Sequence, residues 1–480
     1  MRRASLFGLI LSAWAAAPAQ VPYGVSPSWV SAANGLVATG AAWLDVDRDG
    51  RLDLAVACGN DIARQRVVLY GNGGTGTLPI QPTWQSGDVD FHGHAASGDV
   101  NGDGFPDLAV SVYLGPAGFS QRGRVKLYLN AGGTLCALPS WTSRDSLYSF
   151  SCSFGDADGD GDLDLAVAGG EAYGSRPERN RIYFNRGGTL DSLPGWMAAR
   201  TGYSYDVAWM DVELDGDLDL VFADTRGSNH LYLNRGDSID ASPAWESADA
   251  PGFANSLFAG DINGDGFPDL AVSDNSQLGG SGRFKMYRNA GGTLEQLPFW
   301  TSAWGGYGSG ITLADCDGDG DRDLLTGGWW QPCRIYLNAG GVFPPDPQWS
   351  SATGSVVEAI VCGDVDGDGL EERVISFPGD GFRKLFLFGS SPLHEIRSVM
   401  TGGDTLPPSA YCYDLENGWI STAAPVPAGT WLRAHVRLSG DLDFAVTNWD
   451  GSVGDYLFLN TGSPSAVPPQ GPAGEGPAAA

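Results

Sequence analysis

The sequence predicts an all-β fold built from tandem repeats, and three observations carry this prediction. The chain has 480 residues, of which 70 are Gly and 16 are Trp, and many glycines with many aromatics favour short strands and tight turns. An Asp-rich stretch occurs seven times, with 49 to 57 residues between the first aspartates of successive copies. That period matches one four-stranded blade of a β-propeller, so we predict seven such blades.

The Asp-rich stretches, which we call the acidic loops, alternate acidic residues or Asn with other residues around an invariant Gly. They are DVDRDGRLDL (45–54), DVNGDGFPDL (99–108), DADGDGDLDL (156–165), DVELDGDLDL (211–220), DINGDGFPDL (261–270), DCDGDGDRDL (315–324) and DVDGDGLEER (364–373). Positions within each loop are numbered from its first Asp. An apolar run such as LAV follows most of the loops, as expected for a buried strand.

Each repeat also carries Pro-x-Trp upstream of its loop and an aromatic run downstream of it. The aromatic runs include VKLYLN (125–130) and HLYLN (230–234). These features predict four strands per repeat, with the acidic loop joining the first strand to the second. The tryptophans of the motif are Trp29, Trp84, Trp141, Trp196, Trp245, Trp300 and Trp349.

The order of these features predicts how the array closes. The first Trp motif precedes the first acidic loop, and no Pro-x-Trp follows KLFLF (384–388), which we assign to the seventh repeat. We therefore expect an N-terminal strand around Trp29 to complete the last blade and so to remove exposed sheet edges. The predicted propeller spans residues 20–390.

Residues 391–463 follow the repeat pattern only in part, through NGWIS (417–421), SGDLDF (439–444) and YLFLN (456–460). The segment is either a degenerate eighth blade or a small C-terminal β segment, and its tight SGD turn favours the second. When it is aligned on Gly440 and Asp443, the first three ligand positions fall on His435, Arg437 and Ser439. No acidic side chain remains at these positions, so we expect no divalent ion there.

Both ends of the chain have characteristic compositions. MRR, the apolar run ASLFGLILSAWAAA and Ala17-Pro18-Ala19 predict a signal peptide over residues 1–19, cleaved near Ala19, and hence a secreted, extracellular protein. The tail, 464–480, is rich in Pro, Gly and Ala and is expected to be disordered.

Charge and cysteine spacing exclude several classes of partner. The formal net charge of −29 argues against nucleic acid and against anionic lipid surfaces. No apolar run after the signal peptide is long enough to span a bilayer. The seven cysteines show no CxxC spacing, so a zinc site is not expected.

The acidic loops carry the ligand pattern of a calcium site. Positions 1, 3, 5 and 9 always hold a side-chain oxygen, position 6 is always Gly, and position 7 varies, which fits a backbone-carbonyl ligand. An EF-hand is not indicated, because position 12 lacks the bidentate Glu and the flanks are strand-like. The alternative is a set of solvated acidic turns without an ion.

The predicted ligand set comprises positions 1, 3, 5, 7 and 9 of the seven loops, for up to seven Ca²⁺ ions. It consists of Asp45, Asp47, Asp49, Arg51, Asp53, Asp99, Asn101, Asp103, Phe105, Asp107, Asp156, Asp158, Asp160, Asp162, Asp164, Asp211, Glu213, Asp215, Asp217, Asp219, Asp261, Asn263, Asp265, Phe267, Asp269, Asp315, Asp317, Asp319, Asp321, Asp323, Asp364, Asp366, Asp368, Leu370 and Glu372.

On these motifs, residues 29–390 resemble FG-GAP/VCBS repeats, which also form the propeller of the integrin α-subunit head. The resemblance implies a seven-bladed propeller with calcium in the hairpin between the first two strands of a blade. Repeat seven departs from the pattern, because it has Glu372 in place of Asp and Arg373 in place of Leu, which predicts a weaker site. An integrin role is not implied.

Two functions from different classes fit the sequence. The first is an extracellular binding or adhesion module for a glycan or protein, whose ligand face lies opposite the acidic loops and includes SAWGGYG (302–308) and GWWQPC (328–333). The second is a secreted polysaccharide lyase or glycoside hydrolase. Its catalytic candidates are His92 and His94, which strand alternation places on one face, with Asp206 in the matching register of the fourth repeat.

Overall fold

The structure is a computed structural model that describes residues 21–236, 238–249 and 252–462. The predicted signal peptide and tail lie outside these ranges. The described residues form 35 β-strands and two short 3₁₀ helices, η1 (Ser276–Leu278) and η2 (Pro408–Ala410), so the all-β prediction is confirmed. No helix within the described ranges has the length and hydropathy that crossing a membrane requires.

Five consecutive repeats form antiparallel sheets whose strands pair in chain order. Two short strands, β8 (Gly118–Arg122) and β13 (Arg176–Pro177), pair with the second strands of the sheets numbered 2 and 3 below. Sheet 1 contains β2 (Ala38–Leu44), β3 (Asp53–Cys58), β4 (Val68–Tyr70) and β5 (Trp84–Gln85); sheet 2 contains β6 (Phe91–Gly98), β7 (Asp107–Gly115), β9 (Lys126–Tyr128) and β10 (Trp141–Thr142); sheet 3 contains β11 (Ser149–Gly155), β12 (Asp164–Glu171), β14 (Arg181–Tyr183) and β15 (Trp196–Met197); sheet 4 contains β16 (Ser204–Met210), β17 (Asp219–Asp224), β18 (His230–Tyr232) and β19 (Trp245–Glu246); sheet 5 contains β20 (Ala254–Gly260), β21 (Asp269–Asp274), β22 (Phe284–Tyr287) and β23 (Trp300–Thr301).

Sheets 6 and 7 share a long strand. Sheet 6 contains β24 (Gly308–Ala314), β25 (Asp323–Tyr336), whose two halves correspond to the second and third strands of the other sheets, and the first half of β26 (Trp349–Gly363). The second half of β26 is the first strand of sheet 7, which continues with β34 (Asp443–Asn448), β35 (Tyr456–Phe458) and β1 (Trp29–Val30). The N-terminal strand therefore completes the last sheet, where Trp29 pairs with Leu457.

The seven sheets follow one another in a cyclic order. The first strand of each sheet contacts the first strand of the next, and β26 contacts β2. The first strands of all seven sheets also line a single cavity, which we call the axial cavity. Strands that surround a common axis in this way are typical of a propeller, and we interpret the seven sheets as its blades.

The repeated Trp packs against the neighbouring sheet. Each Trp lies on the outermost strand of one sheet, and its ring contacts an aromatic ring on the third strand of the next sheet in the cycle. In the last step of the cycle, Trp29 of sheet 7 meets Tyr70 of sheet 1. Centroid separations are 5.3 to 6.1 Å for Trp29–Tyr70, Trp84–Tyr128, Trp141–Tyr183, Trp196–Tyr232, Trp245–Tyr287, Trp300–Tyr336 and Trp349–Phe458.

Residues 370–439 form an insertion within the last repeat. Its strands make two separate sheets, ordered β27-β33-β29-β30 and β28-β32-β31. Their bounds are β27 (Leu370–Pro378), β28 (Leu385–Leu387), β29 (Glu395–Thr401), β30 (Asp404–Thr405), β31 (Tyr411–Asp414), β32 (Trp419–Thr422) and β33 (Trp431–Ser439).

The insertion corrects two expectations from the sequence. The chain leaves sheet 7 at the acidic loop and returns at Asp443, so the expected division at residue 390 is wrong and 443–460 is neither an eighth blade nor a C-terminal appendage. KLFLF (384–388) pairs inside the insertion, and YLFLN (456–460) supplies the third strand of sheet 7. The physical reason is that the ring of Phe458 packs against Trp349 of sheet 6, as the aromatic ring on the third strand does in the other sheets.

The ring contact at Trp29 generates the first prediction. Trp29 is 6% exposed and packs on Tyr70 of sheet 1, whereas the neighbouring Val30 is 41% exposed. Replacing a buried Trp by Ala typically costs about 3–5 kcal/mol, so Trp29→Ala should lower the free energy of unfolding by about that amount. Val30→Ala serves as the control and should change it by less than about 0.5 kcal/mol. Equal stabilities in denaturant titrations would contradict the role assigned to β1.

Candidate metal loops and axial cavity

The first Asp of each acidic loop organises the turn that follows it. In the loop of sheet 3, Asp156 accepts hydrogen bonds from the backbone N–H groups of Asp160 and Gly161, both at 3.0 Å. Position 6 has a φ between 83° and 98° in the first six loops, a left-handed conformation that Gly adopts at little cost. The invariant Gly at this position is therefore explained by the backbone itself.

The Asp at position 9 connects three parts of its sheet. In sheet 3, Asp164 accepts from the N–H of Ala157 at 2.8 Å and from the N–H of Asn185 at 2.6 Å. The same two bonds occur in all seven sheets, at 2.8–3.1 Å and 2.6–2.8 Å. Position 9 thus fixes the start of the acidic loop and the end of the third strand together.

Four loops bring three carboxylates together. In each of them, positions 1, 3 and 9 offer oxygens that lie within 4.8 Å of one another. The groups are Asp45, Asp47 and Asp53; Asp156, Asp158 and Asp164; Asp315, Asp317 and Asp323; and Asp364, Asp366 and Asp443. These clusters could hold metal ions.

The donor chemistry at these clusters fits a divalent cation. One oxygen of Asp158 and one of Asp317 are buried without a hydrogen-bond partner in the described structure. Burial, with neighbouring carboxylates adding to it, raises the pKa of Asp323 to about 8. A positive ion among these oxygens would satisfy the orphan atoms and remove the repulsion.

The remaining loops differ at position 3. Asn101 and Asn263 offer amide oxygens in the loops of sheets 2 and 5, and Glu213 stands there in sheet 4. One oxygen of Glu213 is buried without a partner, and burial together with the nearby Glu213 raises the pKa of Asp219 to about 9. Position 5 lies outside the three-carboxylate groups. Its oxygen accepts the N–H of position 7, as in Asp160 with Asp162 at 3.0 Å.

The seventh loop is assembled from two distant segments. Asp364 and Asp366 precede the insertion, and Asp443 follows it. Asp443 makes the two bonds of position 9, from the N–H of Val365 and of Asn460, both at 2.8 Å. In the other loops an oxygen of position 1 accepts the N–H of position 6; here Ser439 donates its hydroxyl to Asp364 at 2.9 Å instead.

Glu372 does not occupy the ligand position assigned from the sequence, because Asp443 stands at position 9, whereas the carbonyl of Leu370 stays a predicted ligand. Glu372 and Leu370 both lie on β27, and the Glu372 side chain is 68% exposed and pairs with Arg397 at 2.6 Å. The sequence alignment failed because it assumed a continuous loop, whereas 70 residues separate the two halves. The same assumption misplaced His435, Arg437 and Ser439, which pair along β33 with β27.

The insertion rests on the face that carries the acidic loops, which we call the loop face. Ser421 donates to Asp156 at 2.6 Å, and Lys384 donates to the carbonyl of Gly159 at 2.6 Å. A ring nitrogen of His394 lies 3.0 Å from the carbonyl of Gly50. The insertion therefore contacts the acidic loops of sheets 1 and 3 as well as its own.

The axial cavity has a volume of about 230 Å³ and is bounded on one side by the insertion. Residues 392–396 and 413–417 of the insertion contribute to its wall. Glu416 and Asp414 both line this space, and the Glu416 side chain is exposed. The insertion thus covers the loop-face end of the axis with acidic side chains.

The two candidate catalytic histidines point to different surroundings. The pairing of β6 with β7 shifts between His92 and Ala95, and this irregularity breaks the alternation that the sequence argument assumed. His92 is buried at 2.9 Å from the carbonyl of Cys58, and burial lowers its pKa to about 4. His94 lines the axial cavity instead.

His94 of sheet 2 and Asp206 of sheet 4 approach each other in the axial cavity. Their closest nitrogen and oxygen are 3.7 Å apart, and although burial opposes it, the charge of Asp206 holds the pKa of His94 above its usual value. Asp206 also accepts from the hydroxyl of Ser256 at 2.8 Å and from the N–H of Leu257 at 3.0 Å. Asp206 therefore ties sheets 2, 4 and 5 together near the axis.

Sequence reasoning missed an Asn that ends the third strand of every sheet. In every sheet the backbone N–H of this Asn donates to position 9. In six of the seven sheets its side-chain amide also donates to the carbonyl of position 2 in the acidic loop of the preceding sheet, at 2.7–2.9 Å. In sheet 1, Asn72 reaches Val365 of sheet 7 in this way. The sequence did contain a signal for the third strand of sheet 7. Asn ends YLFLN (456–460), whereas Gly389 follows KLFLF.

Comparisons with known proteins agree with the repeat pattern. A family model described as an FG-GAP-like repeat matches residues 28–110, 112–167, 211–272 and 315–375, more than half of the chain. A second model, described as an FG-GAP repeat, matches residues 93–128. No curated protein matches the chain significantly.

Two solved structures are similar to the chain at a low level, and neither carries weight for the fold. Both are crystal structures of BBS1N in complex with ARL6DN. The mercury-soaked form has a TM-score of 0.46 at 12% identity and covers 88% of this chain and 97% of that one. The lead-soaked form has a TM-score of 0.45 at 13% identity and covers 70% and 94%.

The split loop generates a prediction that needs no metal. Asp443→Ala leaves two buried N–H groups without an acceptor, and each such group costs about 1–3 kcal/mol, so the free energy of unfolding should fall by about 2 kcal/mol or more. Glu372→Ala removes an exposed side chain and should change it by less than about 0.5 kcal/mol. Chemical denaturation of the two variants measures both. A larger loss for Glu372→Ala would mean that the continuous loop is the correct one.

Proposed function

Because the chain belongs to the FG-GAP-like repeat family, we propose that it is a secreted β-propeller binding module whose acidic loops hold calcium as a structural ion. The observation that carries the proposal is the cluster of oxygens at positions 1, 3 and 9, which recurs in four loops with oxygens within 4.8 Å of one another. Its ligand is a glycan or a protein outside the cell, bound on the face opposite the loops.

The donor atoms favour calcium over softer metals. The loops offer carboxylate, amide and backbone carbonyl oxygens, and calcium takes six to eight such hard ligands in flexible geometry. Position 7 supplies a carbonyl, which is consistent with side chains as different as Arg51, Phe105 and Asp162 at that position. When bound, the ion would neutralise the crowded carboxylates; the chain itself supplies the backbone N–H groups that hold them.

A binding role is better supported than a catalytic one. A lyase or hydrolase needs a positioned proton-transfer pair in a cleft that admits the substrate. His92 and His94 face different surroundings, and Asp206 is engaged by Ser256 and Leu257. The axial residues act in the proposal as structural ties between sheets.

Export is part of the proposal and rests on the sequence of the first 19 residues. An extracellular setting provides calcium at about millimolar concentration, the range in which extracellular modules of this kind bind, with dissociation constants of about 0.1–1 mM. Sites of that affinity would be about half to nine-tenths occupied outside the cell.

Calcium should stabilise the protein. At 10 mM calcium, a site with a dissociation constant of about 0.1–1 mM adds about 1.4–2.7 kcal/mol to the free energy of unfolding. We therefore expect the melting temperature to rise with calcium and to fall in EDTA, with heat released or absorbed in a calorimetric titration. An unchanged melt together with a flat titration would rule out the metal assignment.

The split loop allows a matched test of the seventh site. Asp366→Asn removes a carboxylate from the proposed site, whereas Glu372→Gln neutralises the residue that the continuous loop would use. We expect equilibrium dialysis to show one fewer bound calcium per chain for Asp366→Asn and an unchanged number for Glu372→Gln. The opposite result would return the seventh site to the continuous loop.

A further inference from the structure

Four aromatic side chains from sheets 6 and 7 meet at the end of the propeller opposite the loop face. Tyr307 precedes β24, Trp329 and Trp330 lie in β25, and Trp449 follows β34. Ring centroids are 5.6 Å apart for Tyr307–Trp330, 6.2 Å for Trp329–Trp330 and 6.3 Å for Trp330–Trp449. We call these four residues the aromatic cluster.

Trp330 stands out in the aromatic cluster by its exposure and its backbone. Its side chain is 60% exposed, and its φ is +57°, a left-handed conformation that is unusual for a bulky residue. In the pairing of β25 with β26, Trp329 faces Val356 and Gln331 faces Ser355, so Trp330 is an extra residue without a partner. It is the bulged residue of a β-bulge, in a conformation that Gly more often supplies.

A strained backbone that presents a large apolar ring to solvent needs a reason. Bulges re-aim side chains and occur next to functional sites, and backbone strain of about 1–3 kcal/mol persists where the surrounding structure enforces it. Here the enforcement comes from the neighbouring ring of Trp329, whose indole N–H donates to the buried Glu358 at 2.6 Å. Trp330 is thus held in place by a firmly anchored neighbour.

The aromatic cluster is packed, so it offers a surface and not a cage. Trp330 meets Tyr307 at 81°, Trp329 at 80° and Trp449 at 69°, and with 60% of its surface exposed it still presents apolar ring surface to solvent. Polar residues are the next residues along the chain: Gln331, which follows Trp330, accepts from Arg334 at 3.0 Å, and Asp450, which follows Trp449, accepts from the Ser452 hydroxyl at 2.6 Å. A flat apolar face beside groups that accept and donate hydrogen bonds matches the alternating apolar and hydroxyl surfaces of a sugar ring.

We propose that the aromatic cluster is a carbohydrate-binding site, in which a pyranose ring stacks on Trp330 and its hydroxyls bond to the polar groups beside it. The proposal rests on the binding function proposed above and specifies its ligand class. A protein partner fits less well, because a stable protein interface covers about 800 Å² on each side. Within residues 302–309, 328–336 and 449–456, Trp330 is the one exposed large apolar side chain.

The test compares the wild-type protein with two tryptophan variants on an array of immobilised oligosaccharides, with calcium present. Trp330→Gly removes the ring and places at φ +57° the residue that adopts it most readily, so the protein should fold and melt within a few degrees of wild type. Trp431→Ala is the matched control, because Trp431 is 46% exposed but belongs to the insertion.

We expect the wild-type protein to bind at least one pyranose-containing oligosaccharide, and calorimetry with that oligosaccharide to give an affinity about tenfold or more weaker for Trp330→Gly, equivalent to about 1.4 kcal/mol. Trp431→Ala should bind like wild type. No bound oligosaccharide, or equal affinity for wild type and Trp330→Gly, would overturn the proposal.

A peptide array probed in parallel separates this inference from the proposed function. If the wild type binds peptides and no sugars, the carbohydrate site is wrong while the binding module stands. If it binds neither probe set, both are contradicted. If sugar binding is lost in Trp330→Gly while calcium leaves the melting temperature unmoved, the carbohydrate site stands and the metal assignment falls.

Discussion

The whole architecture depends on one carboxylate per sheet, the Asp at position 9. It accepts one N–H from the start of its own acidic loop and one from the Asn that ends the third strand, as Asp164 does with Ala157 and Asn185. Burial raises the pKa of this Asp, to about 8 in Asp323 and Asp443. A group so constrained orders the hairpin but carries an electrostatic cost, which a bound cation would remove.

The same Asn extends this order from one sheet to the next. In six of the seven sheets its side-chain amide reaches the preceding sheet, and in all seven the repeated Trp packs on the following one. The step from sheet 6 to sheet 7 carries the Trp contact, Trp349 on Phe458. The step from sheet 7 to sheet 1 uses them as well, through Asn72 and Trp29. The N-terminal strand therefore belongs to the cycle, and its pairing with β35 leaves the last sheet complete.

The insertion interrupts the last sheet within its acidic loop and leaves this order intact. It leaves after Asp366 and returns just before Asp443, so both halves of the acidic loop remain in reach of each other. From there it covers the axial cavity and touches the loops of sheets 1 and 3. The opposite face stays available for the aromatic cluster.

The sequence predicted the all-β class, the four-strand period, the acidic loops and the N-terminal closing strand, because each is a local pattern repeated many times. It failed where a single copy departs from the pattern. Glu372 fits position 9 by spacing alone, and only the long-range pairing of β34 with β26 reveals that Asp443 belongs there. His92 and His94 were expected on one strand face, and that expectation failed because the shift in the register of β6 has no sequence signature of its own.

The most direct test of the account is a crystal structure of the calcium-loaded protein with anomalous scattering measured to locate the ions. The account predicts an ion in the acidic loops, with the seventh bound between Asp364, Asp366 and Asp443 while residues 370–439 lie on the loop face. An ion beside Glu372, or acidic loops without anomalous density at saturating calcium, would contradict it.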